Sequence, residues 1–291
     1  MKVASLLFLL LFPLLLCAQQ LTDIHPVSPQ TRYLLAPQWS PDGRLYCSTP
    51  KYADIIEINL EDGSLRPIAS GQGVGFKFTF APDGSIFFKE VTDGGRNLWI
   101  IDTAGNKTLL AFDTEIGLPA WYNGAIRARF TKGVLSWNQS GDALEGSADG
   151  WVFQDGGGIF HYREGLESQR LSPGNVDCCL PAQSPDGSLV VYEGMNVLML
   201  INLETGASKS FGPGNNAVWS PHGSFFLFDQ TSDDGHRLVS GDIYYVARDA
   251  ESRDNLTEEF AGIATHPAIS PDATQVAFEA SGRIYIGDLA R

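Results

Sequence analysis

A four-residue turn recurs along the chain and constrains the fold more than any other feature. Ser40-Pro41-Asp42-Gly43 returns as Ala81-Pro82-Asp83-Gly84, Ser184-Pro185-Asp186-Gly187, Ser220-Pro221-His222-Gly223 and Ser270-Pro271-Asp272-Ala273. A weaker copy, Trp121-Tyr122-Asn123-Gly124, stands where the early spacing of about 41 residues places one. Proline presets φ, aspartate caps backbone donors and glycine accepts positive φ, so each copy reads as a tight hairpin. The residue before the turn is large and apolar at Trp39, Phe80, Trp219 and Ile269, with Gln183 as the exception. After it come β-branched and aromatic runs of strand length, such as Ser85-Ile86-Phe87-Phe88 and Ser224-Phe225-Phe226-Leu227-Phe228.

A second apolar run follows, as in Leu98-Trp99-Ile100-Ile101, Ile159-Phe160-His161-Tyr162 and Val197-Leu198-Met199-Leu200. A polar turn with glycine and a short polar strand close the unit, for example Thr103-Ala104-Gly105 before Lys107-Thr108-Leu109-Leu110. Four strands in a unit of about 45 residues make a β-propeller blade. The expected fold is therefore all-β: a six-bladed β-propeller with four-stranded antiparallel blades at 36–72, 73–114, 115–174, 175–214, 215–262 and 263–291. The sixth unit stops after its third strand. Thr31-Arg32-Tyr33-Leu34 has the character of a fourth strand without a blade of its own, and is expected to close the ring and remove an open sheet edge. The third unit is long. Its excess, Trp137 to Gly158, reads as an exposed loop or extra hairpin carrying Trp137, Trp151 and Phe153.

Charge narrows the partners. With 20 Lys+Arg against 34 Asp+Glu in 291 residues, the net charge of −14 leaves no cationic surplus for sequence-independent nucleic-acid binding. Met1-Lys2, the apolar run Val3 to Leu16 and the small residue Ala18 read as a signal peptide over 1–18, with one domain over 19–291. A lipoprotein acylated at Cys17 is the competing reading. No later apolar stretch reaches spanning length, so the expectation is an exported, periplasmic or secreted monomer. Cys47, Cys178 and Cys179 remain, an odd number, read either as small buried residues or as one bridge from Cys47 to either neighbour.

Pro-Ala-Ile-Ser-Pro-Asp at 267–272, Trp-Ser-Pro-Asp-Gly at 39–43 and Asn-Leu-Thr at 255–257 resemble the TolB-type propeller repeat, a WD-like repeat with a Pro-Asp core. The resemblance covers nearly all of residues 19–291. It implies the propeller fold and points to periplasmic interaction proteins, peptidase gating domains and some polysaccharide lyases, because fold does not fix function. TolB itself adds an N-terminal α/β domain, for which residues 19–35 are too few.

Strong catalytic signatures are missing from the sequence: there is no Gly-x-Ser-x-Gly elbow, phosphate-binding loop, His-Glu-x-x-His or EF-hand loop. The repeated aspartates Asp42, Asp83, Asp186 and Asp272 are accounted for by turn geometry. Among five scattered histidines, His161 in a strand and His266 at a blade entrance are the candidates for a site. Trp39, Trp121 and Trp219 read as packing between blades, and Trp137, Trp151 and Phe153 as a stacking surface for a sugar or protein. The leading reading is a non-catalytic scaffold for a protein partner in the envelope. The alternative is a propeller lyase or lactonase with a divalent cation in the central channel, for which Ca²⁺ is one candidate; no cofactor is firmly implied by the sequence.

Overall fold

The computed structural model describes residues 19–145, 148–249 and 252–290; the leader and Cys17 lie outside them. Long apolar runs such as Phe225 to Phe228 form strands because each sheet is covered on both faces by its neighbours. Tyr46, Ile55 and Ala69 of one blade meet Ile86, Phe88 and Ile101 of the next. Leu45, Ile56 and Ile58 likewise meet Ala277, Ile284 and Ile286 across the closure.

Among the described residues the strands form seven antiparallel sheets, not six. Blade 1 comprises Leu35–Trp39, Leu45–Ser48, Asp54–Ile58 and Leu65–Ser70. Blade 2 comprises Thr79–Phe80, Ile86–Thr92, Gly95–Ile101 and Lys107–Asp113. The expected third unit is two three-stranded sheets. Blade 3 is Ala120–Tyr122, Ala125–Phe130 and Gly133–Trp137; blade 4 is Val152–Asp155, Gly158–His161 and Gln169–Arg170. Blades 5 and 6 start at Cys178–Gln183 and Asn215–Trp219 and keep four strands each. Blade 7 is Ala264–Ile269, Gln275–Ala280 and Arg283–Leu289, with Leu21–Pro26 outermost.

The six-blade count fails because blade 4 carries no Pro-Asp turn. Its first hairpin instead turns at Gly156 (φ 49°) and Gly157 (φ 71°), the two successive positive-φ residues of a two-residue hairpin loop. Among the described residues blade 3 has a single bridge, Trp137 to Ala143, where an outer strand would stand.

Closure by the N-terminus holds, but with different residues. Leu21–Pro26 pairs with Arg283–Leu289, with Leu21 opposite Leu289 and His25 opposite Ile286. Thr31 to Leu34 lies in a turn and coil that carries the chain into blade 1. Leu34 is buried against blades 1 and 7, and its N–H donates to the Gly282 carbonyl, so its apolar character serves packing rather than pairing.

The recurrent turns behave as their chemistry requires. Ser184 and Ser270 donate their hydroxyls to Asp186 and Asp272, each at 2.6 Å, which explains the serine at the head of the repeat. Serine and Arg248 contacts hold the Asp186 carboxyl well below the usual carboxylate range. Cys47, Cys178 and Cys179 are free thiols, and burial pushes Cys47 up to about 12.

Candidate functional site

Four inner strands, and the approach to a fifth at Thr79–Phe80, share an uncommon backbone feature. Ala36, Lys77, Leu180, Asn216 and His266 each have φ between 50° and 54°, a left-handed conformation that costs energy for residues other than glycine. At four of them the ladder slips in register, between Leu35 and Gln38, Cys179 and Ala182, Asn215 and Val218, and Thr265 and Ala268. The bulge turns the residue's N–H sideways, toward the preceding blade. Leu180 N donates to Gln154 Oε1 (3.2 Å), Asn216 N to Glu193 Oε1 (2.6 Å) and His266 N to Asp229 Oδ2 (2.7 Å). Blades 4 to 7 are thereby laced together at the channel by second-strand side chains.

These bonds draw ionisable groups into the channel. Asp229 is 1% exposed and also accepts Asn216 Nδ2 at 2.9 Å; desolvation pushes its carboxyl up to about 6. Burial raises Glu193 as well. Lys77 lines the cavity of about 260 Å³ that His266 and Tyr52 also line, and its burial lowers the ammonium pKa despite the pull of Glu193 and Asp229. His266 is pushed down to about 4, first by desolvation and then by Lys77.

The opposite side of the channel is shaped by what blade 4 lacks. A two-residue turn joins the second and third strands of blades 2, 3, 5 and 7, and Asp155 and Gly158 flank the same kind of turn. Val152–Asp155 is therefore a second strand, and no inner strand stands beside it among the described residues. Gln183 takes part of that role. Its Oε1 accepts Val152 N–H at 3.0 Å, and its Nε2 donates to the carbonyls of Gly150 (2.7 Å) and Gly187 (3.1 Å). This explains the glutamine where other repeats carry a large apolar residue. Replacing Gln183 by Leu removes three hydrogen bonds and is expected to cost about 2–3 kcal/mol in urea unfolding. A loss under about 0.5 kcal/mol would show that the glutamine does not stand in for the strand.

The edge of Val152–Asp155 opens into a cleft of about 530 Å³. Its walls include Phe76, Leu118, Trp151 and Phe153, and its polar groups include Lys89, Arg96 and Arg129. Arg129 pairs with Asp155 at 3.1 Å. Lys89 donates to the Ile116 carbonyl at 3.2 Å, and neither it nor Arg96 forms an ion pair within 4 Å among the described residues. Burial and the neighbouring Arg96 charge lower Lys89 to about 8. A second cavity of about 680 Å³ on the same side reaches Pro185 and Pro221 of the repeat turns.

The residues singled out from sequence do not form one site. Trp137 is 4% exposed and packs on Phe130 in the core between blades 2 and 3, so it offers no stacking face. Trp151 and Phe153 stack on each other at 5.4 Å and are buried, yet both line the cleft. Of the two expected settings, exposed loop or extra hairpin, it is the hairpin that forms, with Phe153 in its first strand. His161 lines none of these channel cavities, and His266 lines a different one from Trp151 and Phe153. Lys77, Lys89, Arg96, Gln154, Glu193 and Asp229 escaped notice. The signal for part of the set was legible: Glu90, Glu193, Asp229 and Glu279 each stand six residues after the last turn position at Gly84, Gly187, Gly223 and Ala273.

Neither a protein-family model nor a curated protein matches the sequence. Solved structures do match the fold. The chain is similar to oligogalacturonate lyase from Vibrio parahaemolyticus, with 13% identity and a TM-score of 0.59, over 92% of this chain and 95% of that one. It is similar to TolB from Acinetobacter baumannii, with 19% identity and a TM-score of 0.53, over 81% of this chain and 57% of that one. A chain of a mitotic checkpoint complex matches at 15% identity and a TM-score of 0.63, over 100% of this chain and 98% of that one. The TolB-like resemblance thus stands as a likeness of fold, within a fold shared by a lyase and by a component of a protein assembly.

Proposed function

We propose that residues 19–291 form one exported, non-catalytic propeller domain that binds a protein partner through its channel, as a scaffold or adaptor in the cell envelope. The observation that carries this reading is the cleft beside blade 4, where, among the described residues, no inner strand covers the edge of Val152–Asp155 and two cations form no ion pair. The mitotic checkpoint neighbour, which belongs to a protein complex, is in keeping with it. Among the described residues no helix is long and apolar enough to cross a membrane, which is compatible with export. The test is affinity capture from an envelope extract with the folded protein as bait, against heat-unfolded bait. Stoichiometric enrichment of one protein by the folded bait is expected; none at all would overturn the reading.

A second reading, a channel enzyme acting on a carbohydrate or lactone, draws on the convergence of Lys77, Glu193, Asp229 and His266, since perturbed groups gather at active sites. The oligogalacturonate lyase shows that the fold supports such chemistry. The residues do not fit the Ca²⁺ this reading calls for. Asp229 and Glu193 accept N–H donors and share the channel with the Lys77 charge, whereas Ca²⁺ takes about six to eight oxygens. Adding CaCl₂ at about 100 times a millimolar Kd is expected to leave the melting temperature unchanged; a gain of about 2.7 kcal/mol in stability would favour the enzyme.

A further inference from the structure

We infer that the partner docks an extended acidic peptide along the inner edge of Val152–Asp155, supplying the inner strand that blade 4 lacks among the described residues and setting a carboxylate against Lys89 and Arg96. The inference rests on the scaffold reading and gives it a site and a chemistry.

Three observations converge on this edge. In an antiparallel hairpin alternate residues turn their N–H and C=O outward from the partner strand. The Val152 N–H bond to Gln183 fixes which residues those are: Val152 and Gln154 face the vacant side. Gln183 takes up the Val152 N–H, and among the described residues no strand pairs with this edge to take the Gln154 N–H and the two carbonyls. A row of backbone donors and acceptors at two-residue spacing recognises another main chain, which a sugar cannot match. The edge is four residues long, about 13 Å, enough for a short peptide strand.

Charge supplies the second argument. Lys89 and Arg96 stand close enough for one to depress the other's proton affinity, in a protein of net charge −14 and with no carboxylate within 4 Å among the described residues. Glu115 and Asp155 also line the cleft, and Asp155 is taken by Arg129. Two like charges held together beside a low-dielectric wall are relieved by an incoming anion. The third argument is shape: Leu118, Trp151, Phe153 and Pro181 give the cleft apolar walls on either side of the edge, suited to the alternate side chains of an extended segment.

The test is selection of a phage-displayed random heptapeptide library on the wild-type protein and on K89E/R96E, whose melting temperatures are first shown to agree. Peptides rich in Asp and Glu are expected from the wild type, with binding weakened by at least about tenfold on K89E/R96E. Selected peptides without acidic bias, equal binding to both proteins, or no selected peptide would each overturn the inference. Tight binding of polygalacturonate in place of peptides would overturn it in favour of a glycan. Capture of a protein partner that survives K89E/R96E removes this docking site while leaving the scaffold reading in place. Absence of any captured partner removes the scaffold reading itself.

Discussion

Deletion of residues 19–26 is expected to lower the melting temperature by more than about 10 °C. The segment supplies the outer strand of blade 7, and its loss exposes the edge of Arg283–Leu289 along its length. Leu21 is packed with Phe225, Leu227, Leu256 and Leu289, so the deletion also opens the core between blades 6 and 7. Backbone bonds from Leu21 to Leu256 and from Ala290 to Gln20 go with it. Removing a buried leucine alone costs about 2–5 kcal/mol, and each kcal/mol moves the midpoint of a domain this size by about 2–4 °C. The freed edge should also promote aggregation, visible in light scattering. A melt within about 2 °C of the full chain would refute closure by this strand.

Asp229→Asn is expected to stabilise the protein at neutral pH and not in acid. The folded state holds the Asp229 proton up to about pH 6, whereas an unperturbed aspartate releases it near 3.8. The neutral form therefore favours folding fully below pH 3.8, and that advantage is lost as the pH rises through 6. At about 1.4 kcal/mol per pH unit, carrying the charge at pH 7 costs about 3 kcal/mol. Asparagine keeps an acceptor for the His266 N–H and carries no charge. The variant should gain about 1–3 kcal/mol at pH 7.5, and the gain should vanish near pH 4. His266 works in the opposite direction: pushed down to about 4, it loses stability for the fold as the pH falls from 6.5. Comparing wild type and variant at each pH cancels most of that histidine effect. A variant less stable than wild type at pH 7.5 would mean that the charge is held by Lys77 at a net gain.

The repeat made most of the architecture readable from sequence, because a hairpin that needs Pro, Asp and Gly announces itself wherever it occurs. In blades 1, 2, 5, 6 and 7 those turns directly follow the inner strand and join it to the second. Blade 4 is not separable from blade 3 in the repeat because, among the described residues, it has no inner strand and hence no such turn; the excess length of the third unit and Asp155-Gly156-Gly157-Gly158 are its marks in the sequence. The closing strand was misplaced because Leu21–Pro26 and Thr31 to Leu34 are both short and partly polar, and only pairing with Arg283–Leu289 distinguishes them. The channel site was harder still. Lys77, Lys89, Arg96 and Asp229 come from blades 2 and 6 and share no local spacing, so only the closed ring places them around one channel. Gln183, by contrast, was visible as an irregularity in the repeat, and such an exception is worth reading as a functional mark.

The most direct measurement of the account is amide hydrogen exchange at Val152–Asp155 with the protein alone and then with its captured partner. The account predicts that the Gln154 amide exchanges quickly in the free protein, faster than Phe153 beside it, and slows by at least about tenfold when the partner binds. A Gln154 amide as protected as Phe153 in the free protein, or unchanged by the partner, would contradict an open edge that the partner fills.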